Sequence, residues 1–172
     1  SGKNNFIDTY YLENPDKLSD EELQIIASWK GYKTDKCFIV KHVKDYSLFF
    51  CNDKVYGVKG ITDSFEEKFG GYAPVLVDIT LIPFKEHLIY DGLFAPYNIS
   101  FGSGMKKTMK QESEEAIQKF GIITSLDKNP EAKEQNDEEL LCFYMKSSDN
   151  KMRYEPEITK LKKLIGSKWR SL

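Results

Sequence analysis

The sequence predicts an α+β fold, in which a small, strongly bent antiparallel β-sheet or partly open barrel of about five or six strands is flanked by helices. Three observations predict it. Several β-rich runs are short and end at residues that favour tight turns, such as Asn52-Asp53. Gly57 and Gly60 lie in the third of these runs and allow sharp bends. The 11 Phe and 10 Tyr residues favour sheet, where aromatic side chains pack well.

The first part of the chain leads into a core domain. Residues 1–17 are polar and aromatic without a period, and we interpret them as a tag-cleavage scar, Ser1-Gly2, followed by a linker remnant. The core domain is predicted at 18–124 and opens with an amphipathic helix. Ser19 and Glu22 have the spacing of a capping box, which fixes the start of that helix.

A three-stranded meander follows the first helix. Its strands are predicted at 37–43, 46–51 and 55–61, because β-branched and aromatic residues dominate these runs. A single helical turn begun by Asp63 or Ser64 then precedes the next strand.

A second hairpin follows that helical turn. Residues 75–82 alternate between apolar and partly polar side chains, as in a strand with one buried face, and Pro83 ends this strand or lies at a sheet edge. Residues 84–86 are the predicted turn, 87–93 the return strand and 97–101 a last short strand.

The remainder of the chain is predicted to be helical on either side of one connection. A helix whose inward apolar stripe includes Met105 ends at Gly121. The charged residues 125–137 are predicted to be a mobile linker. Residues 138–172 are predicted to form a C-terminal helical appendage that packs on the core, with Asp137 capping its first helix.

Cysteine usage predicts the compartment. Cys37, Cys51 and Cys142 form no CxxC pair and lie in apolar runs, so an odd count favours buried, reduced thiols in a cytoplasmic protein over a disulfide framework. Neither an apolar run long enough to span a membrane nor a signal peptide is present in this sequence, and we expect no membrane partner.

Charge and histidine content limit the classes of ligand. A net charge of −2 gives no support to nucleic acid as a partner, although a local basic patch remains open. His42 and His87 have no close His or Cys partner, so we expect no zinc site, and we expect no cofactor.

The glycine loop before the second long helix is the candidate ligand site. Backbone N–H groups and the positive end of the helix dipole can hold a phosphate or carboxylate at such a place. The candidate anion-binding residues are Gly102, Ser103, Gly104, Lys106 and Lys107. This is not a Walker A loop, since Ile99 stands where the first glycine would be. The simpler interpretation, which we favour, is a structural turn in which Ser103 caps the helix.

Catalytic side chains are a weaker alternative. His87 and Asp91 share a predicted strand face and could act with a nucleophile such as Cys51 or Ser100. Convergent carboxylates could instead hold a metal; the candidates are Asp63, Glu66 and Asp78.

Exposed aromatic residues could stack on bases or on a peptide, or could simply cover the sheet edges. They are Tyr10, Tyr11, Trp29, Tyr32 and Tyr97.

Three segments resemble a group of bacterial proteins for which no activity is established. They are SDEELQIIASWK, KVYGVKGITDSFEEKF, and LIPFKEHLIYDGL followed by YNISFGSGMKK. The resemblance covers about residues 14–124, which look like the C-terminal domain of those longer chains. It implies a bacterial, cytosolic origin and an N-terminal domain that is missing here, and it carries over no site residues.

The expected function is therefore that of a non-enzymatic cytosolic binding module. It would recognise a protein or a phosphate-bearing ligand through the sheet and the loop 102–107. A protein partner or the missing N-terminal domain is the expected partner. The alternative is a metal-dependent or His-based enzyme acting on nucleic acid or nucleotides.

Overall fold

The computed structural model describes residues 6–126 and 136–168. Its contacts divide the chain into two compact units, Ser1–Glu131 and Ala132–Leu172. Most of the linker predicted at 125–137 lies outside the described residues, so its mobility stays a prediction, as does the packing of the C-terminal appendage on the core.

Six strands form one sheet, and five of them close into a ring. The strands are β1 (Lys33–Val43), β2 (Tyr46–Cys51), β3 (Lys54–Val58), β4 (Val75–Phe84), β5 (His87–Pro96) and β6 (Ile122–Ile123). Their order is β2-β1-β4-β5-β3-β6, and an additional pairing of β2 with β3 closes the ring. The predicted α+β fold with a bent, partly open sheet is confirmed. The sheet is mixed, because β3 runs parallel to both β5 and β6.

Seven α-helices accompany the sheet in the described ranges. They are α1 (Phe6–Glu13), α2 (Asp20–Ser28), α3 (Phe65–Phe69), α4 (Ser103–Phe120), α5 (Asp137–Met145), α6 (Ser148–Arg153) and α7 (Glu155–Lys168). Ser19 and Glu22 form the predicted capping box of α2. Ser64 begins α3 in the same way, and Gly70, at φ 59°, ends it in the left-handed conformation that glycine adopts without a Cβ clash.

Two apolar layers hold the first unit together. The ring interior is filled by residues such as Phe49, Val58 and Phe65, all at most 1% exposed. Because side chains alternate along a strand, Leu48 and Phe50 point to the other face, where α4 covers them.

Several predicted elements differ from the structure. Residues 6–13, taken as a linker remnant, form α1. The predicted last strand at 97–101 is irregular, because a bond from the Ile99 N–H to the Tyr97 carbonyl turns the chain. The short strand β6 had too few residues to show a period.

Smaller corrections concern single residues. Pro83 lies inside β4 instead of ending it, at a position beyond the β4 residues that pair with β1. Asn136, not Asp137, caps α5, its side chain accepting a bond from the Glu138 N–H. Met105 is 53% exposed and does not belong to the buried stripe of α4.

The prediction of three buried, reduced thiols is wrong. Cys37 and Cys51 form a disulfide with their Cα atoms 4.7 Å apart, and both are buried. The antiparallel register of β1 and β2 explains it, since the two cysteines come one position beyond the Phe38–Phe50 pair and face each other. Cys142 is free but exposed. Of the described helices, none combines the length and apolar character that crossing a membrane requires.

Candidate ligand-binding pocket

A pocket of about 620 Å³ lies where α3, β4, β5 and α4 meet. The residues that line it come from the end of α3 and the loop before β4, and from the end of β5 through the start of α4. They are Lys68, Phe69, Tyr72, Ala73, Pro74, Val75, Phe94, Pro96, Tyr97, Asn98, Ile99, Ser100, Phe101 and Lys106. The volume is in the range of sites for drug-sized ligands.

The floor of the pocket is apolar and anchored to the ring interior. Phe69 and Phe94 are half-buried, pack on the core and lie with their ring centroids 5.3 Å apart. Phe94 also contacts Phe65 in the ring interior, and the centroids of these two side-chain rings are 6.3 Å apart. Packing on several neighbours restricts their rotamers, so the floor is preformed.

One wall is fixed by Tyr97. Its hydroxyl donates a hydrogen bond to the Asp78 carboxylate at 2.5 Å, and its backbone N–H donates to the Leu76 carbonyl. The Lys36 ammonium lies over the Tyr97 ring, 4.6 Å from its centroid. The hydrogen bond with the Tyr97 oxygen raises the pKa of Lys36, and the negative charge of Asp78 adds to the rise. These contacts tie the segment after β5 to β1 and β4.

The opposite rim carries an exposed tyrosine on a fixed backbone. Tyr72 is 78% exposed. Its N–H donates to the Phe69 carbonyl, and its own carbonyl lies 3.2 Å from His42 Nε2. The backbone is thereby held while the ring remains in solvent.

Two lysines from different elements line the same pocket. Lys68, at the end of α3, forms an ion pair of 3.3 Å with Asp63, and the hydrogen bond in this pair raises the pKa of Lys68. Lys106 lies in the first turn of α4, where its N–H bonds to the Gly102 carbonyl. Both side chains therefore contribute an ammonium group to the lining of one pocket.

The predicted anion loop is therefore only partly a pocket element. Of its residues in the described chain, Lys106 lines the pocket, whereas Lys107 does not. Gly102, Ser103 and Gly104 lie exposed at the start of α4. The predicted cap is wrong: Gly102 is the N-cap and Ser103 is the first helical residue. The N-cap consequently supplies no side-chain oxygen to the first-turn amides of α4.

His87, Asp91 and Cys51, three of the proposed catalytic residues, each have another partner. His87 Nε2 lies 3.1 Å from the Lys59 ammonium, while Asp91 accepts a bond from the Leu93 N–H in its own strand. Cys51 is held in the disulfide and so is no free thiolate nucleophile.

The three candidate carboxylates are also separated by their partners. Asp63 pairs with Lys68 and Asp78 with Tyr97, while Glu66 lies exposed on α3. Within residues 6–126 and 136–168, no three His, Cys, Asp or Glu side chains are grouped so that they could hold a metal ion.

The other aromatic candidates are scattered. Tyr10 donates to Asp16, and the Tyr11 hydroxyl accepts a bond from Gln24. Trp29 is half-buried and Tyr32 is 58% exposed. Of the five aromatic candidates, Tyr97 alone lines the pocket.

Sequence reasoning missed the α3 side of the pocket. Lys68, Phe69 and Tyr72 are about 30 residues from the glycine loop, and the antiparallel pairing of β4 with β5, with Val77 opposite Pro96, brings the two segments to the same end of that hairpin. The available signal was the pair of aromatic residues flanking Gly70-Gly71, but no local pattern connects them with α4.

Comparisons with protein-family models, curated proteins and solved structures produced no match to this chain. The resemblance to a bacterial protein group stays a prediction, and functional inference depends on the pocket itself.

Proposed function

We propose that this protein is a non-enzymatic binding module that recognises a phosphate-bearing ligand through the pocket between α3 and α4. The observation that carries the proposal is the presence of Lys68 and Lys106 in one aromatic-lined cavity of about 620 Å³. Ligand sites are typically concave and mostly apolar, with a few polar groups that orient the ligand.

The charges of the pocket favour an anion. Lys106 brings an ammonium beside the positive end of the α4 dipole. Lys68 brings a second ammonium, which Asp63 neutralises in part and which a phosphate could share or take over. A phosphate with two negative charges would gain from both, whereas a neutral ligand would use only the apolar floor.

Binding through the outer face of β2 and β3 has less support. Ala116 and Ile117 of α4 pack on Leu48, Phe50 and Val55 there. In OB folds, which are partly open five-stranded barrels, the face of the second and third strands binds oligonucleotides. Because α4 covers it in this chain, we favour a small ligand over nucleic acid. Recognition of a protein partner stays a prediction.

The compartment is a separate question. The predicted cytoplasmic location stays a prediction, and the Cys37–Cys51 disulfide argues against it, because disulfides persist mainly in oxidising compartments.

The enzyme alternative is favoured by no specific observation, since the side chains it needs have other partners.

The test is a calorimetric titration with phosphate-bearing compounds, comparing Lys106→Glu with Lys107→Glu. Both variants make the same charge change one residue apart, but only Lys106 lines the pocket. We expect Lys106→Glu to weaken binding by about tenfold or more, from loss of a charge-assisted contact and gain of repulsion, and to leave the melting temperature nearly unchanged. Equal losses in both variants, or no binding by the wild type, would contradict the proposal.

A further inference from the structure

We infer that the ligand of this pocket is a mononucleotide, that is, a flat aromatic base carrying a phosphate through a sugar. The inference rests on the proposed function and adds the chemical nature of the part that is not phosphate. It depends on the exposed Tyr72, on the aromatic floor, and on two polar side chains at the rim.

Tyr72 is the first observation. A tyrosine ring that is 78% exposed gains little from burial in the protein itself, yet the backbone that carries it is hydrogen-bonded on both sides. The backbone thus holds Tyr72 among the residues that line the pocket, with its ring open to solvent. Such a ring can stack on a base, which is favourable for any base because each has a π face.

The remaining rings of the pocket limit the shape of the ligand. Phe69 and Phe94 form the floor, and Phe101 is held by an edge-to-face contact with Phe38, 5.7 Å between centroids. Since Lys36 occupies one face of Tyr97, only the other face of that ring can contact a ligand. Several aromatic side chains in one lining favour a flat ring over a flexible chain.

Polar groups at the rim suit the edge of a base. Asn98 and Ser100 both line the pocket and are exposed. The Asn98 side-chain amide has both hydrogen-bond donors and an acceptor, the combination that can pair with the edge of a base. The Ser100 hydroxyl can donate or accept a hydrogen bond. With Lys68 and Lys106 for the phosphate, the pocket offers a partner to each end of a nucleotide.

The experiment is a calorimetric titration of the full chain with adenosine monophosphate and with three partial ligands: ribose 5-phosphate, adenosine and inorganic phosphate. Guanosine and cytidine monophosphates are titrated as well, because stacking alone does not select one base. We expect a nucleoside monophosphate to bind at least about fivefold more tightly than ribose 5-phosphate, the smallest gain expected from one stacked base. Tyr72→Ala should remove that difference, while Tyr32→Ala, which changes an exposed tyrosine away from the pocket, should keep it.

Each outcome separates the inference from the proposal on which it rests. If ribose 5-phosphate and the nucleotides bind equally, and Lys106→Glu weakens both, the pocket binds phosphates but the inference of a base is overturned. If Tyr72→Ala leaves nucleotide affinity unchanged while its melting temperature matches the wild type, the stacking role is overturned. If none of the phosphates binds, both the inference and the proposed function fail.

Discussion

The Tyr97 hydroxyl donates a hydrogen bond to the Asp78 carboxylate at 2.5 Å, and this bond connects the irregular segment after β5 to the middle of β4. One wall of the candidate pocket belongs to that segment. The position of the wall therefore depends on a side-chain bond, supported by Lys36 over the same ring.

Tyr97→Phe removes the bond and keeps the ring. We expect the free energy of unfolding to fall by about 1.5 kcal/mol, the low end for hydrogen bonds to charged groups, because both partners are only half-buried. Urea unfolding measures this, with Tyr32→Phe as the control for losing an exposed hydroxyl. A variant as stable as the control would show that the bond does not hold the segment.

The Cys37–Cys51 disulfide should account for a large part of the stability of the first unit. Replacing both cysteines by alanine is expected to lower the free energy of unfolding by about 3 kcal/mol, the value for closing a loop of about 15 residues, with a further loss from two buried side chains. The exposed Cys142, changed to Ser, should have no effect.

Counting thiols provides the direct check of that bond. Protein purified under oxidising conditions and unfolded without reductant should react with one equivalent of a thiol reagent, from Cys142. Three reactive thiols would contradict the disulfide and restore the prediction of reduced cysteines.

The capping box of α2 gives a prediction for pH. Hydrogen bonds from the Ser19 backbone N–H and hydroxyl lower the pKa of Glu22 in the folded protein. A carboxyl whose pKa is lower in the folded state binds fewer protons when folded than when unfolded. Its contribution to stability is therefore fully present above the pKa of the unfolded state and is lost as the pH falls through the pKa of the folded state. Glu22→Gln should thus be less stable than the wild type at pH 7 and should match it only once the pH has fallen below the folded pKa of Glu22, which lies under the unperturbed glutamate value of about 4.3. Urea midpoints across acidic pH measure this, with Glu86→Gln as a control in a turn; a difference that does not change with pH would contradict it.

Local sequence patterns predicted an element correctly where residues close together in the chain determine its structure. The capping box at Ser19, the helical turn that begins at Ser64, and the tight turn at Asn52-Asp53 with φ of 49° and 58° depend on residues within four positions of each other. The alternation of apolar and partly polar residues along 75–82 likewise predicts which side chains of β4 are buried.

What could not be predicted depends on contacts between distant parts of the chain. The parallel pairing of β3 with β5, which closes the ring, joins residues about 30 positions apart. The β4–β5 hairpin, with Val77 opposite Pro96, brings the segment after α3 beside the segment before α4. The glycine loop identifies Lys106 as a candidate, whereas Lys68 lies across the hairpin and was missed. The disulfide was within reach of the sequence, because the turn at 44–45 places Cys37 nearly opposite Cys51, but an odd cysteine count was given more weight than strand register.

Backbone amide NMR during titration with a nucleoside monophosphate tests the central claim most directly, because it reports every amide at once. The account predicts chemical-shift changes confined to the pocket walls, at residues 68–75, 97–101 and 103–106, and none around His87 and Asp91. Shifts centred on those two residues, or on the outer face of β2 and β3, or no shifts with any phosphate-bearing ligand, would contradict it.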